Sequence, residues 1–413
     1  MHPLLILFII AVALKWAFEI GLEWLNERHV RSLSLGVPES YSAFIDADTY
    51  RKSVEYTLAK ARFSRISSTF EALLLLVVIL SGLLPWLFGE FTEILGSGIW
   101  GQGCTLFLIG VVLAVPGLPL EWWQQFRIEG AFGFNRSSLA LWFSDKLKGL
   151  AIAFVIGCPL ICALLWIVRL PLWWFLGFVL FFLFQLLILV VYPMFIMPLF
   201  NRFEPLSEGP LRDRLMSLSD RTGFLARAIL VMDGRRRSSH SNAFFTGFGR
   251  FRRIVLFDTL VEQLTESELE SVLAHEIGHY KLGHIPRLLV FSAVTTLAGF
   301  WVLGLLVESP WFYGTFGFSY GNGLAPALLL FSLLSGLVTF WLTPAINLWR
   351  RKHEFEADAF SRLAVQSVEP LIQSLRKLHQ ENLSNLTPHP FYSRFYYSHP
   401  TLLEREASLH NAG

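Results

Sequence analysis

Two histidines four residues apart, His275 and His279, sit in the run Leu273-Ala274-His275-Glu276-Ile277-Gly278-His279. On a helix they are separated by about 40° around the axis, so both imidazoles point at one spot. That spacing suits a zinc ion, and Glu276, beside the first histidine, is placed to act as general base toward a water. The apolar neighbours bring three polar groups together on a helix that tends to be buried. A catalytic zinc takes a third protein ligand and keeps one position open. His284 is a poor candidate: it lies five residues beyond His279, about 140° away around a continuous helix. The metzincin pattern would instead put a third histidine six residues after the second. His284 is read as a helix-end or membrane-interface residue.

A better source is Arg351-Lys352-His353-Glu354-Phe355-Glu356-Ala357-Asp358. Glu354 and Asp358 are i and i+4 on a second predicted helix, so one carboxylate can bind a metal while the other orients a ligand histidine. Glu356 points elsewhere on that helix, and His353 is a weaker alternative ligand.

These groups need elements to hold them. The chain has 413 residues, 54% hydrophobic and 16% charged, with a mean hydropathy of +0.50. A soluble domain carries roughly a quarter charged residues, so a polytopic membrane protein is expected. The net charge of +2 argues against a nucleic-acid surface. Seven apolar stretches approach spanning length: Pro3–Leu25, Phe70–Phe88, Thr105–Trp123, Leu150–Val168, Leu172–Leu199, Arg287–Val307 and Leu324–Thr343. The first lacks a basic flank and a small-residue cleavage site, and it contains Lys15 and Glu19, so it is not expected to be a cleaved signal. Cys104, Cys158 and Cys162 lie in or beside apolar runs without metal-ligand spacing and are read as packing residues.

Lys and Arg concentrate after spans one, three, five and seven, as in Arg235-Arg236-Arg237 and Arg350-Arg351-Lys352. Gly89–Gly103 and Glu308–Asn322 contain none. The positive-inside rule then puts the N-terminus outside and the catalytic segments in the cytoplasm. The expected organisation is 1–200 as a five-helix membrane region, 201–285 with 344–413 as one protease domain, and 286–343 as helices six and seven. Within it, Ala228–Asp233 and Arg253–Asp258 read as strands. Thr265 to His284 reads as a helix, begun by a Thr265/Glu268 capping box.

HExxH followed by a distant Glu-Phe-x-Ala-Asp, with seven spans, resembles the type I CAAX prenyl proteases, a membrane branch of the gluzincins. Gly130–Arg136, Pro198–Phe203, Ser239–Phe245, Arg253–Leu260 and Ser398–Arg405 are similar to the same family, so the likeness runs through almost the whole chain. The resemblance implies a mainly α membrane protein: seven helices around a chamber, capped by a cytoplasmic zincin-like α+β protease domain. It implies His275, His279 and Glu354 as ligands of one zinc, with Asp358 behind them. Asn242 and Ala243 would lie on an edge strand that pairs with substrate backbone. His399 would donate to the oxyanion, with Arg405 supporting the site. Lys15 and Glu19, one turn apart, would be either a self-neutralising pair or part of a hydrated chamber wall. The short loop between spans six and seven, and a C-terminus (Ser408–Gly413) without an ER-retrieval-like ending, look more like a bacterial relative, which suggests a bacterial inner membrane.

The expected activity is peptide-bond hydrolysis in the bilayer, on a peptide or protein substrate that is prenylated if the family's specificity carries over. Clearance of damaged, unprenylated membrane proteins would use the same chemistry. A multispan transporter or scaffold with structural zinc is the reading from another class, and it would call for four protein ligands.

Overall fold

A computed structural model of the chain describes residues 3–246 and 252–411. The ends of the expected domain ranges (1–2 and 412–413) and residues 247–251 inside the expected protease region lie outside the described residues.

Among the described residues, seven helices are long and apolar enough to cross a membrane: Pro3–Ser32, Ala47–Leu80, Ile99–Ala131, Leu139–Ile167, Trp173–Leu199, His284–Val307 and Leu324–Val365. Most run past the expected spans, because each apolar stretch continues into a polar helical extension. The second differs most. Asp46 caps it by accepting from the backbone N–H of Asp48 and Thr49, so it starts well before the apolar run. It ends at Leu80, and Gly82, in the left-handed conformation, starts a separate helix at Leu83–Leu95. Apolar side chains such as Leu7, Val155 and Val290 face outward from the bundle, as lipid contact requires.

The cysteines are free and act in packing: Cys104 Sγ lies 3.7 Å from Cys158 Sγ, and a Cβ on Gly103 would come within 2.3 Å of Cys162 Sγ. Lys15 and Glu19 pair at 2.7 Å and also line a cavity of about 160 Å³ with Ser68 and Glu71. The self-neutralising pair and the cavity wall are thus the same feature. Glu71 also borders a much larger space, of about 1180 Å³, between the membrane helices and the polar segments.

Outside the bundle lies a four-stranded sheet: β1 (Phe203–Pro205), β2 (Ala228–Met232), β3 (Ala243–Thr246) and β4 (Arg253–Phe257), in the order β1-β2-β4-β3. β2 and β4 are parallel and central, with Ile229, Ile254 and Leu256 buried, as their β-branched, apolar sequences require. Among the described residues β3 pairs antiparallel with β4 alone, which leaves an open edge. The buried faces of β2 and β4 pack on Leu269, Leu273 and Ile277 of the Glu266–Lys281 helix, which bears the histidines.

Candidate metal centre

The Glu266–Lys281 helix begins as its sequence predicts. Thr265 Oγ1 accepts from the Glu268 N–H, and Glu268 Oε2 accepts from the Thr265 N–H at 2.8 Å. Its end is not as expected. The helix stops at Lys281, Gly283 takes φ +71°, and His284 opens the next helix. The site depends on a close approach to the Thr343–Val365 helix, which carries Glu354. Gly278 permits it, since a Cβ there would stand 3.1 Å from Phe360 Cβ and 3.2 Å from Ala357 Cα. Ser361 Oγ donates to Ser271 O at 2.7 Å and fixes the two helices against sliding.

His275, His279 and Glu354 converge. The two Nε2 atoms are 3.2 Å apart, and each lies 3.4 Å from a different Glu354 oxygen. Zinc–ligand bonds of about 2.0–2.1 Å in a tetrahedron give ligand–ligand edges of about 3.4 Å, so the triangle has the size zinc needs. Glu354 Oε2 is buried and accepts no hydrogen bond among the described residues, a cost removed by a cation. Donor types, spacing and the orphaned oxygen all fit a metal. His353 is not part of this triangle and lies against His284 instead.

Asp358, 1% exposed, sets the orientation of His275: its Oδ1 is 2.8 Å from His275 Nδ1. Burial works against a charged His275, but Asp358 and Glu354 outweigh it and push its pKa up to about 9. In the neutral ring, the form a metal would bind, the same contact holds the proton on Nδ1 and turns the Nε2 lone pair toward the triangle. Arg405 grips Asp358 with Nε and Nη2 and approaches Glu354 Oε2 at 3.9 Å. Desolvation raises the pKa of Glu276 from the ordinary carboxylate value, with His275 and His279 opposing, which makes it a stronger proton acceptor.

His399 comes from a distant segment, yet its Nε2 is 3.4 Å from Glu354 Oε1 and its ring borders the large cavity. Partial desolvation at the cavity wall lowers its proton affinity, Glu354 opposes, and Arg405 lowers it further, which favours the neutral ring. Ser398 Oγ, 3.1 Å from Nδ1, can donate there, which leaves the proton on Nε2. Asn242 precedes β3. Its carbonyl oxygen accepts from the Phe257 N–H, and its Oδ1 accepts from the Ala243 N–H at 2.8 Å. Strand alternation therefore turns the peptide groups of Ala243 to the open edge. Ala243 and Phe244 also share a small apolar pocket with Glu276.

All nine residues singled out in the sequence thus lie in or beside one site. Sequence reasoning missed two features. His284 and Glu356 sit directly behind His279, reached through the turn at Gly283. His240, stacked on Phe134, links Glu129 to Asn382 on the cavity wall. Only the glycine before His284 gave a sequence signal, as a helix stop.

Comparison with known proteins agrees with this picture. Residues 26–202 match the family described as CAAX prenyl protease N-terminal, five membrane helices, and residues 205–412 match Peptidase family M48. CAAX prenyl protease 1 of Saccharomyces cerevisiae is 36% identical, covering 96% of this chain and 92% of the relative. The homologues from Oryza sativa and Homo sapiens are 33% and 29% identical, covering 94% and 93% of this chain and 94% and 90% of their own lengths. The crystal structure of S. mikatae Ste24p superposes with a TM-score of 0.92 at 33% identity, covering 99% of both chains. The chain belongs to the CAAX prenyl protease 1 family, integral-membrane metalloproteases of Peptidase family M48.

Proposed function

We propose that the chain is a zinc endopeptidase, one zinc per chain, that removes C-terminal residues from prenylated tails admitted through its chamber. The observation that carries this is the triangle of His275, His279 and Glu354, with His399 beside it on the wall of a cavity of about 1180 Å³. A cavity of that size, bounded by both membrane helices and catalytic segments, suits a substrate that is part lipid and part peptide.

Zinc, when bound, supplies a Lewis acid that polarises the scissile carbonyl and makes water acidic enough to ionise near neutrality. Glu276 takes the water proton and returns it to the leaving amine. The Nε2–H of His399 donates to the carbonyl oxygen as charge develops there. The open edge of β3 at Ala243, next to Asn242, holds the peptide as an added strand, so affinity comes from backbone rather than from a particular sequence. Asp358 and Arg405 keep His275 in the ligating tautomer. The three-ligand set among the described residues, next to the half-buried Glu276, favours an open catalytic position over a closed structural site.

Residues 201–285 and 344–413 act as one protease domain, and the distribution of Lys and Arg supports a cytoplasmic position for it with the N-terminus outside. Placement in a bacterial inner membrane is supported by the short Glu308–Asn322 loop, while the relatives named above are eukaryotic.

The test is to incubate purified protein with a farnesylated CAAX peptide, its unprenylated counterpart and an unrelated unfolded protein. Preferential cleavage of the first supports the proposal. Equal cleavage of all three points to general clearance, and no cleavage of the farnesylated peptide removes the prenyl-specific reading.

A further inference from the structure

His284 and Glu356 do not belong to the metal triangle, but they are tied to it. The turn at Gly283 (φ +71°) returns the chain so that His284 Nδ1 lies 2.9 Å from His279 Nδ1. His284 is 1% exposed, and its Nε2 lies 2.9 Å from Glu356 Oε2. His353 stacks on the His284 ring, centroids 4.1 Å apart and planes at 9°, with Trp349 beside His353. Glu356 is itself anchored, with Arg287 Nη1 at 3.5 Å and Lys352 Nζ at 3.8 Å.

The proton positions follow from valence. His279 must offer its Nε2 lone pair to the metal, so the neutral ring carries its proton on Nδ1 and donates to His284 Nδ1. Neutral His284 then carries its proton on Nε2 and donates to Glu356. Each N–H meets an acceptor, and the chain runs in one direction from the metal triangle to the carboxylate.

His284, His353 and Glu356 also bring three ligand atoms within 4.8 Å of one another, so a second cation there has to be considered. Two facts count against it. A cation on His284 Nε2 would force the ring's proton onto Nδ1, facing the Nδ1–H of His279 across 2.9 Å as donor against donor. Rings stacked at 9° also keep their in-plane lone pairs in two near-parallel planes, which do not meet at a shared point.

We infer that His284 is a positioning residue that fixes the tautomer and ring orientation of His279, with Glu356 as its anchor. This rests on the reading of His275, His279 and Glu354 as metal ligands. The two histidines are then backed unequally. His275 has a carboxylate 1% exposed, in direct contact, whereas His279 has one 32% exposed, relayed through an imidazole.

The test is zinc affinity and stoichiometry of the full chain in detergent, measured against a competing chelator, for the parent, His284→Leu, His284→Gln and Glu356→Ala. The parent should bind one zinc. His284→Leu should bind about 10–100-fold more weakly. His284→Gln should recover most of that loss, because its amide oxygen can accept from His279 while its NH₂ donates to Glu356. Glu356→Ala should fall between the two and opens no buried cavity, so it decides the matter together with His284→Gln if His284→Leu does not fold. Thermal unfolding with excess chelator should leave the metal-free variants near the parent, separating loss of zinc from loss of fold. Parent-like affinity in both His284→Leu and Glu356→Ala overturns the inference, as does His284→Gln losing as much as His284→Leu. A second zinc in the parent that disappears in Glu356→Ala overturns it too. A parent that binds no zinc overturns the ligand assignment itself.

Discussion

Arg405 presents two donors to one buried carboxylate, Nε to Asp358 Oδ2 at 2.8 Å and Nη2 to Oδ1 at 2.5 Å, while that Oδ1 lies 2.8 Å from His275 Nδ1. The guanidinium keeps Asp358 ionised and fixed in rotation, so it can only accept from His275. Asp358→Asn should weaken zinc binding about 10–100-fold, since the amide loses the charge and presents a donor on one side. Arg405→Lys should not restore what Arg405→Ala loses, because an ammonium cannot hold both oxygens in plane. Chelator competition on the purified variants measures both.

Glu276 contributes no atom to the metal triangle. Glu276→Gln should therefore retain zinc at parent affinity while kcat falls about 10²–10⁴-fold. Cleavage by this variant at the parent rate, with zinc bound, would remove Glu276 from the chemistry.

His399 Nε2 stands 3.4 Å from Glu354 Oε1, at the cavity side of the triangle. If it donates to the developing oxyanion, His399→Ala should lower kcat about 10²–10³-fold and leave KM little changed. A rise in KM at constant kcat would assign His399 to ground-state binding instead.

Strand alternation points the N–H of Ala243 away from β4 to the open edge, where Asn242 Oδ1 accepts from it and where an added strand would take that amide's place. Ala243→Pro should keep the sheet and raise KM about tenfold, the equivalent of one net hydrogen bond. Circular dichroism and steady-state kinetics separate this from a folding defect.

Glu268 tests stability through pH. Burial raises its pKa, but Lys377 Nζ at 2.8 Å and the Thr265 N–H outweigh that and leave it below the usual carboxylate value. A lowered folded pKa stabilises above the unfolded value, near pH 4.5, and the contribution disappears as pH falls through the folded value. Glu268→Ala should cost about 0.5–2 kcal/mol at pH 7, typical of a lost cap. The gap from the parent should shrink on acidification, as read by thermal unfolding at several pH values.

By itself the sequence determined what depends on local spacing. The four-residue separation of His275 and His279 and of Glu354 and Asp358 follows from helix geometry. The Thr265/Glu268 cap is a contact across three residues, and the apolar runs announced the membrane helices, though the second was expected to end at Phe88 and ends at Leu80. The roles of His399, Arg405 and the β3 edge had no local signature and entered only through resemblance. Their partners lie tens to hundreds of residues away, as with Arg405 and His275, 130 positions apart. His284 shows the limit most clearly. Its angle on a continuous helix set it aside as a ligand, but the helix is not continuous. The break at left-handed Gly283 sets the imidazole behind His279, a relationship that exists only once both helices have packed.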